Sequence, residues 1–159
     1  MSWPSAPGTL TATGNQGMVQ TLARTPWSVG YLGASFEDQA GKAGLLTAML
    51  QNQDGNFLLP TAATITAAAA ALTPCTPPDE RLTLVFAPGA DSYPLINYEY
   101  AIVWDKQPNP QMASAISNFL LWCISPQGGS AASFLDPVHF IALPTPIRAR
   151  SEIQIAKIQ

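Results

Sequence analysis

An α/β fold, with helices laid over a sheet, is what the sequence predicts, and three segments carry the prediction. Residues 93–103 place an entry proline, Pro94, before a run of β-branched and aromatic residues that suits a strand. Ile96, Tyr98, Tyr100 and Ile102 fall on one face and Leu95, Asn97, Glu99, Ala101 and Val103 on the other, so both faces are largely apolar and each needs a cover. The covers are the alanine-rich stretch 62–72 and a later segment in which Met112, Ala113, Ile116, Phe119, Leu120 and Cys123 recur at three- and four-residue steps; both read as helices.

Taken in order, residues 2–13 are rich in Pro, Ser, Thr, Ala and Gly without periodicity and read as a loop. Gly14-Asn15-Gln16-Gly17 leads into a helix through Arg24, with Met18 and Leu22, and Val19 and Ala23, at helical spacing before Thr25-Pro26 stops it. Residues 29–32 read as a short strand, and residues 35–39 as a brief helix with Glu37 and Asp38 near its start. Residues 45–50 and 56–59 suit strand or extended segments around an Asp54-Gly55 turn. Thr61 is positioned to N-cap the alanine helix, which Thr73-Pro74 ends; small side chains there let helix and sheet approach closely. A proline-rich connector, a short strand over 82–86 and a turn at 88–92 then lead to residue 93, with a lobe boundary near residue 90. Pro108-Asn109-Pro110 caps the amphipathic helix, Gln127-Gly128-Gly129 ends it, a short helix follows over 131–135, and residues 148–158 are of open type.

The composition excludes several functions. Seven Lys and Arg stand against ten Asp and Glu with no basic cluster, so nothing neutralises a nucleic-acid backbone or steers the chain to an anionic membrane, although a single anion still fits. No apolar run approaches the roughly 20 residues of a bilayer span. Residues 1–8 show no basic start, apolar run or cleavage site of a secretory signal. Two cysteines, Cys75 and Cys123, lack metal-ligand spacing and read as unpaired structural thiols, a bridge needing Cα atoms within about 7 Å.

No constellation argues for an enzyme. His139 is the only histidine and has neither a nucleophile block nor a second ligand near it. Glu37-Asp38 and Asp79-Glu80 are sequence neighbours, which do not face one another on a helix as a paired acid and base would. Gly128-Gly129-Ser130 lacks the lysine and spacing of a phosphate-cradling P-loop. Tyr31, Tyr98, Tyr100, Trp27 and Trp122 read as core rather than as a ligand cleft; without their sheet partners they would be left exposed.

Five blocks in order resemble the phosphate-binding proteins that feed the phosphate-specific ABC importer. They are Gly14-Asn15-Gln16-Gly17-Met18-Val19; Thr25-Pro26 with Val29-Gly30-Tyr31-Leu32-Gly33 and Ser35-Phe36; Asp54-Gly55-Asn56-Phe57-Leu58-Leu59-Pro60; Tyr93-Pro94-Leu95-Ile96-Asn97-Tyr98-Glu99-Tyr100; and Phe119-Leu120-Leu121-Trp122 followed by residues 134–140 and Leu143-Pro144. The blocks span nearly the whole chain but match only the C-terminal portion of that family. The resemblance implies a periplasmic-binding-protein-like fold of type II, an incomplete two-lobe α/β structure, with residues 1–90 the latter part of lobe two and residues 91–159 the return to lobe one. It implies inorganic phosphate as ligand, ABC importer membrane subunits as partners, no cofactor, no catalysis and an extracytoplasmic location.

Holding dry phosphate takes many short donors, an Arg fork and a carboxylate that accepts the ligand's own proton. In the family these come from the N-terminal lobe and from an Arg-x-Asp-x-Ser-Gly-Thr segment, and Arg24, Arg81, Arg148 and Arg150 are not followed by that pattern. The local candidate is Gly14-Asn15-Gln16-Gly17, whose glycines and following helix start suit an anion-binding nest, against the plainer reading of a structural turn. Three alternatives stay open: a truncated remnant that binds nothing, half of a split binding protein that needs a separate N-terminal partner chain, or a surface interaction module.

Overall fold

A computed structural model describes residues 6–159; of the entry loop expected over 2–13, residues 2–5 lie outside the described part, and 6–13 hold a turn but no helix or strand. Two compact units divide the chain, residues 1–47 and 48–159.

In the first unit, α1 (Gly14–Arg24) forms where the spacing of Met18, Val19 and Leu22 predicts it, and Val19 is its buried residue. A 3-10 turn (Ala34–Phe36) runs into α2 (Glu37–Lys42), whose first turn carries Glu37 and Asp38 and whose last carries Lys42, each charge opposing the nearer pole of the helix dipole. Residues 29–32 are not a strand, which corrects the expectation. Val29 is left 91% exposed and Tyr31 63%. Trp27, expected in a core, is fully exposed and adopts a left-handed φ of 62°.

In the second unit, the Asp54-Gly55 turn joins β1 (Leu50–Gln51) to β2 (Phe57–Leu58), antiparallel with Leu50 opposite Leu58 and Gln51 opposite Phe57. Gly55 takes the left-handed φ of 88° that the turn requires. Asn52 organises this hairpin. Its Oδ1 accepts from the Asp54 and Asn56 amides at 3.0 and 2.9 Å, while its Nδ2 donates to the Gly89 and Ala90 carbonyls at 3.1 and 2.8 Å.

The alanine helix α3 (Ala62–Leu72) starts at Thr61 as expected, with a reciprocal box: Thr61 Oγ1 accepts from the Thr64 amide and Thr64 Oγ1 from the Thr61 amide. Its Ala68 and Ala69 are buried, but the sheet expected to cover them is reduced, among the described residues, to the two-residue β1–β2 ladder. The amphipathic helix α4 (Pro110–Ile124) is capped by Asn109, whose Oδ1 accepts from the Met112 amide at 2.8 Å. Gly128 and Gly129 turn tightly under its last turn, where a Cβ on either would meet the backbone of Trp122 or Cys123 at 2.6–3.0 Å. The short α5 (Ala132–Leu135) follows, and the segment of open type resolves as α6 (Thr145–Ile155), with Ile147 and Ile155 buried.

Two more strand expectations are corrected here. Residues 82–86 and 93–103 belong to no sheet. Leu84 and Tyr93 are buried, and the Tyr93 amide donates to the Thr64 carbonyl of α3 at 3.1 Å, so the run is anchored at its start. From there its side chains emerge into solvent: Tyr100 is 44%, Trp104 83% and Ile102 95% exposed. The physical reason is that strand propensity describes a surface able to pack, whereas a strand exists only when another backbone accepts its hydrogen bonds. Among the described residues these two runs share a single backbone bond, from the Phe86 amide to the Pro94 carbonyl at 2.8 Å, and no ladder extends from it. The α/β expectation thus reduces to a helical structure with one minimal hairpin, and a two-lobe architecture is not displayed.

Candidate functional site

The first turn of α1 is where the sequence places an anion site. Gly14 opens the helix with a left-handed φ of 65°, which a glycine adopts without strain, and Thr13 makes no side-chain cap. First-turn amides of a helix have no partner within the helix, and here no side chain from Thr13 occupies them. Their dipole end favours a negative group.

The side chains of the same turn are already engaged. Asn15 Oδ1 accepts from the Gly33 amide at 3.1 Å, pinning the loop that precedes the 3-10 turn to the start of α1. Gly33 fits closely, since a Cβ there would stand 3.3 Å from Asn15 Nδ2 and 3.8 Å from Ser35 Oγ. Gln16 Oε1 accepts from Gln39 Nε2 of α2 at 3.1 Å. Gly17 lies inside the helix, facing Ala12 at ordinary contact distance. Of the four predicted residues, Asn15 and Gln16 therefore hold the unit together through their side chains, and only the backbone of the turn is left to meet an anion.

The turn Gly14–Gly17 carries no charged side chain of its own to hold a dianion. Arg24 is the last residue of α1, and ten residues at 1.5 Å rise put it about 15 Å along the axis from Gly14. Glu37 and Asp38 sit on the same short helix as Gln39. The other arginines serve the second unit. Arg81 pairs with Asp79 at 2.6 Å on the surface, holding that carboxyl below its usual range mainly by a side-chain hydrogen bond, and Arg150 of α6 donates to the Thr76 carbonyl.

A polar cluster that the sequence does not reveal lies in the second unit. Glu80, nearly buried and in a left-handed conformation, accepts at Oε1 from Ser151 Oγ of α6 at 3.0 Å, and its carbonyl shares the Tyr100 hydroxyl with that of Leu82 at 2.9 and 3.0 Å. The Tyr98 hydroxyl is buried beside it without a hydrogen-bond partner in good geometry. Burial pushes its pKa up, a shift the neighbouring Thr73 partly offsets. The cluster fastens the 76–82 connector to α6; Arg150 and Gln154 Nε2, which donates to the Pro78 carbonyl, complete the clamp. Its residues come from segments far apart in sequence, so no local motif announces it.

Other candidates separate cleanly. Cys75 is exposed and Cys123 half-buried, and both are free thiols, as the sequence reading expected. His139 takes the left-handed position that ends the 3-10 turn Asp136–Val138. Among the described residues no group of three His, Cys, Asp or Glu is placed to hold a metal, and no helix is long and apolar enough to cross a membrane. An open cup of about 470 Å³ lies along α4 beside the chain end, where Ser114, Ser117, Asn118 and Gln159 supply polar groups and no charged side chain takes part.

No family model matches this chain. Over 141 residues it is 31% identical to the phosphate-binding protein PstS of Methanocaldococcus jannaschii, a match covering 82% of this chain and 35% of that protein. Over 154 residues it is 26% identical to the phosphate-binding protein PstS of Pasteurella multocida, covering 97% of this chain and 42% of that one. The chain therefore spans between about a third and two-fifths of the length of the curated relatives it matches, and over most of its own length it is similar to one region of them.

Proposed function

We propose that this chain serves phosphate capture as part of a solute-binding protein of the periplasmic-binding-protein type. In this reading it acts outside the cytoplasm, without catalysis, and hands inorganic phosphate to the membrane subunits of an ABC importer. The observation that carries the proposal is the similarity to two phosphate-binding proteins across most of the chain. Residues 1–90 then correspond to the latter part of lobe two and residues 91–159 to the return into lobe one. The local contribution to the ligand is the backbone of Gly14, Asn15, Gln16 and Gly17, whose first-turn amides carry no Thr13 cap.

A second reading is favoured by the lack of charge in that turn. With no charged side chain in the turn itself and Arg24 at the opposite end of α1, the turn by itself is a weak site, and the chain binds phosphate only with groups supplied by further polypeptide, whether in the same chain or in a partner.

One experiment separates the two. Amide resonances of the purified chain are followed while phosphate is added, with sulfate as control, alongside the melting temperature. A ligand that binds only the folded state at 100 times its Kd adds about 2.7 kcal/mol of stability. Phosphate-specific shifts at residues 14–17 with a raised melting temperature support the first reading; no shift and no rise in millimolar phosphate support the second.

A further inference from the structure

The division between lobes proposed above falls near residue 90, and hydrogen bonds tie the residues before it to the residues after it. Arg150, Ser151 and Gln154, all from α6, hold the Thr76 carbonyl, the Glu80 carboxylate and the Pro78 carbonyl. The Tyr100 hydroxyl is shared by the Glu80 and Leu82 carbonyls, and the Phe86 amide donates to the Pro94 carbonyl at 2.8 Å. The segment held in this way is strained. Glu80 and Phe86 both take a left-handed backbone, with φ of 58° and 55°, which a residue with a Cβ adopts only where its surroundings enforce it. The Tyr98 hydroxyl, buried next to Tyr100 with ring centroids 6.5 Å apart, adds a polar group without a well-placed partner.

We propose that Glu80 is a catch between the two lobes. Engaged, Ser151 grips its carboxylate and Tyr100 its carbonyl, so the 76–82 connector and α6 move together. Released, Glu80 returns to an ordinary φ, and residues 48–90 swing as a body away from residues 91–159, the kind of hinge motion that opens and closes a two-lobed binding protein. A permanent staple needs neither strain nor an unmet hydroxyl. In a catch both have a use, because each relaxes when the joint lets go, and the engaged and released states are thereby brought close in free energy. The inference rests on the phosphate-capture reading for the assignment of these residues to two lobes. Its test contains no phosphate, so a chain that fails to bind phosphate and a catch that fails to release give different results.

Pulsed electron spin resonance on the full chain reads the motion as a distance. In a background of Cys75→Ser and Cys123→Ala, one pair of spin labels, on Thr66→Cys of α3 and Ala156→Cys at the end of α6, spans the division; a second pair, on Ala115→Cys of α4 and Ala156→Cys, lies on one side of it, and all three positions are exposed. Each pair is measured with the catch intact and with Ser151→Ala, Tyr100→Phe or both, and circular dichroism establishes that the helices persist. Losing a bond to a buried carboxylate shifts the ratio of engaged to released molecules roughly ten- to a hundredfold toward release. The expected result is a second, displaced distance in the spanning pair, larger in the double variant, with the other pair unmoved. Glu80→Gln, which keeps an oxygen for Ser151 to bond, retains the original distance. A spanning distance that ignores Ser151→Ala and the double variant, two pairs that broaden together, loss of the helices in the single variants, or a Glu80→Gln variant that releases as fully as Ser151→Ala would each overturn the proposal.

Discussion

Replacing Asn52 by Ala tests how the second unit holds its hairpin. Asn52 is 5% exposed and uses both ends of its amide: two bonds organise the 52–56 turn and two reach across to the 89–90 turn. A buried hydrogen bond contributes about 0.5–1.5 kcal/mol net, and a donor or acceptor stranded by its loss costs about 1–3 kcal/mol. Part of the damage is limited, since the Ala90 carbonyl still receives Asn56 Nδ2 at 3.0 Å and the Asn52 amide still donates to the Asn56 carbonyl at 2.9 Å. The net loss is therefore about 2–4 kcal/mol. With a urea slope of about 2 kcal/mol/M, the midpoint falls by about 1–2 M at unchanged slope. Tryptophan fluorescence and far-ultraviolet dichroism in urea report it. Asn52→Asp sharpens the test, because it keeps the two accepting bonds while turning a carboxylate oxygen toward the Gly89 and Ala90 carbonyls, and at neutral pH it should fare no better than Ala. A loss below about 0.5 kcal/mol for Ala, or an Asp variant as stable as the unaltered protein, would refute the reasoning.

Gly128→Ala should destabilise by about 1–3 kcal/mol, since its Cβ would sit 2.6 Å from the Trp122 carbonyl oxygen and 2.8 Å from the Trp122 indole. Gly41→Ala, in open space on α2, should instead stabilise its helix by about 0.4–1 kcal/mol, and thermal melts of the two variants compare the signs. The phenols of Tyr98 and Tyr93 are both raised by burial. A neutral acid whose folded pKa lies above its unfolded value of about 10 stabilises fully below pH 10, and that contribution is lost as pH climbs through the folded pKa. The protein should thus lose stability above pH 10. Tyr98→Phe should blunt that loss and leave stability at neutral pH unchanged or higher, because the hydroxyl it removes has no good partner.

Local elements were legible because their causes are local. The Thr61 box, the Asn109 cap, the Gly55 turn and the period of α4 each involve residues within a few positions of one another, and each forms where the sequence predicts it. The similarity to phosphate-binding proteins was legible in the same way, from contiguous blocks of residues. Its site was not. Asn15 and Gln16 have the chemistry of an anion turn, but their side chains are consumed by Gly33 and Gln39, 18 and 23 residues away, and no local pattern foretells those bonds.

By itself the sequence determined the helices α1, α3 and α4, the caps at Thr61 and Asn109, and that residues 29–32, 82–86 and 93–103 have the side chains of buried strands, while it left the type of the last helix open. Only the tertiary structure decided their fate. A helix closes its hydrogen bonds within its own segment, so composition suffices to specify it, whereas a strand borrows its bonds from another backbone. Among the described residues no ladder of bonds forms along these runs, so Val29 and Ile102 are left in water and apolar sequence becomes apolar surface.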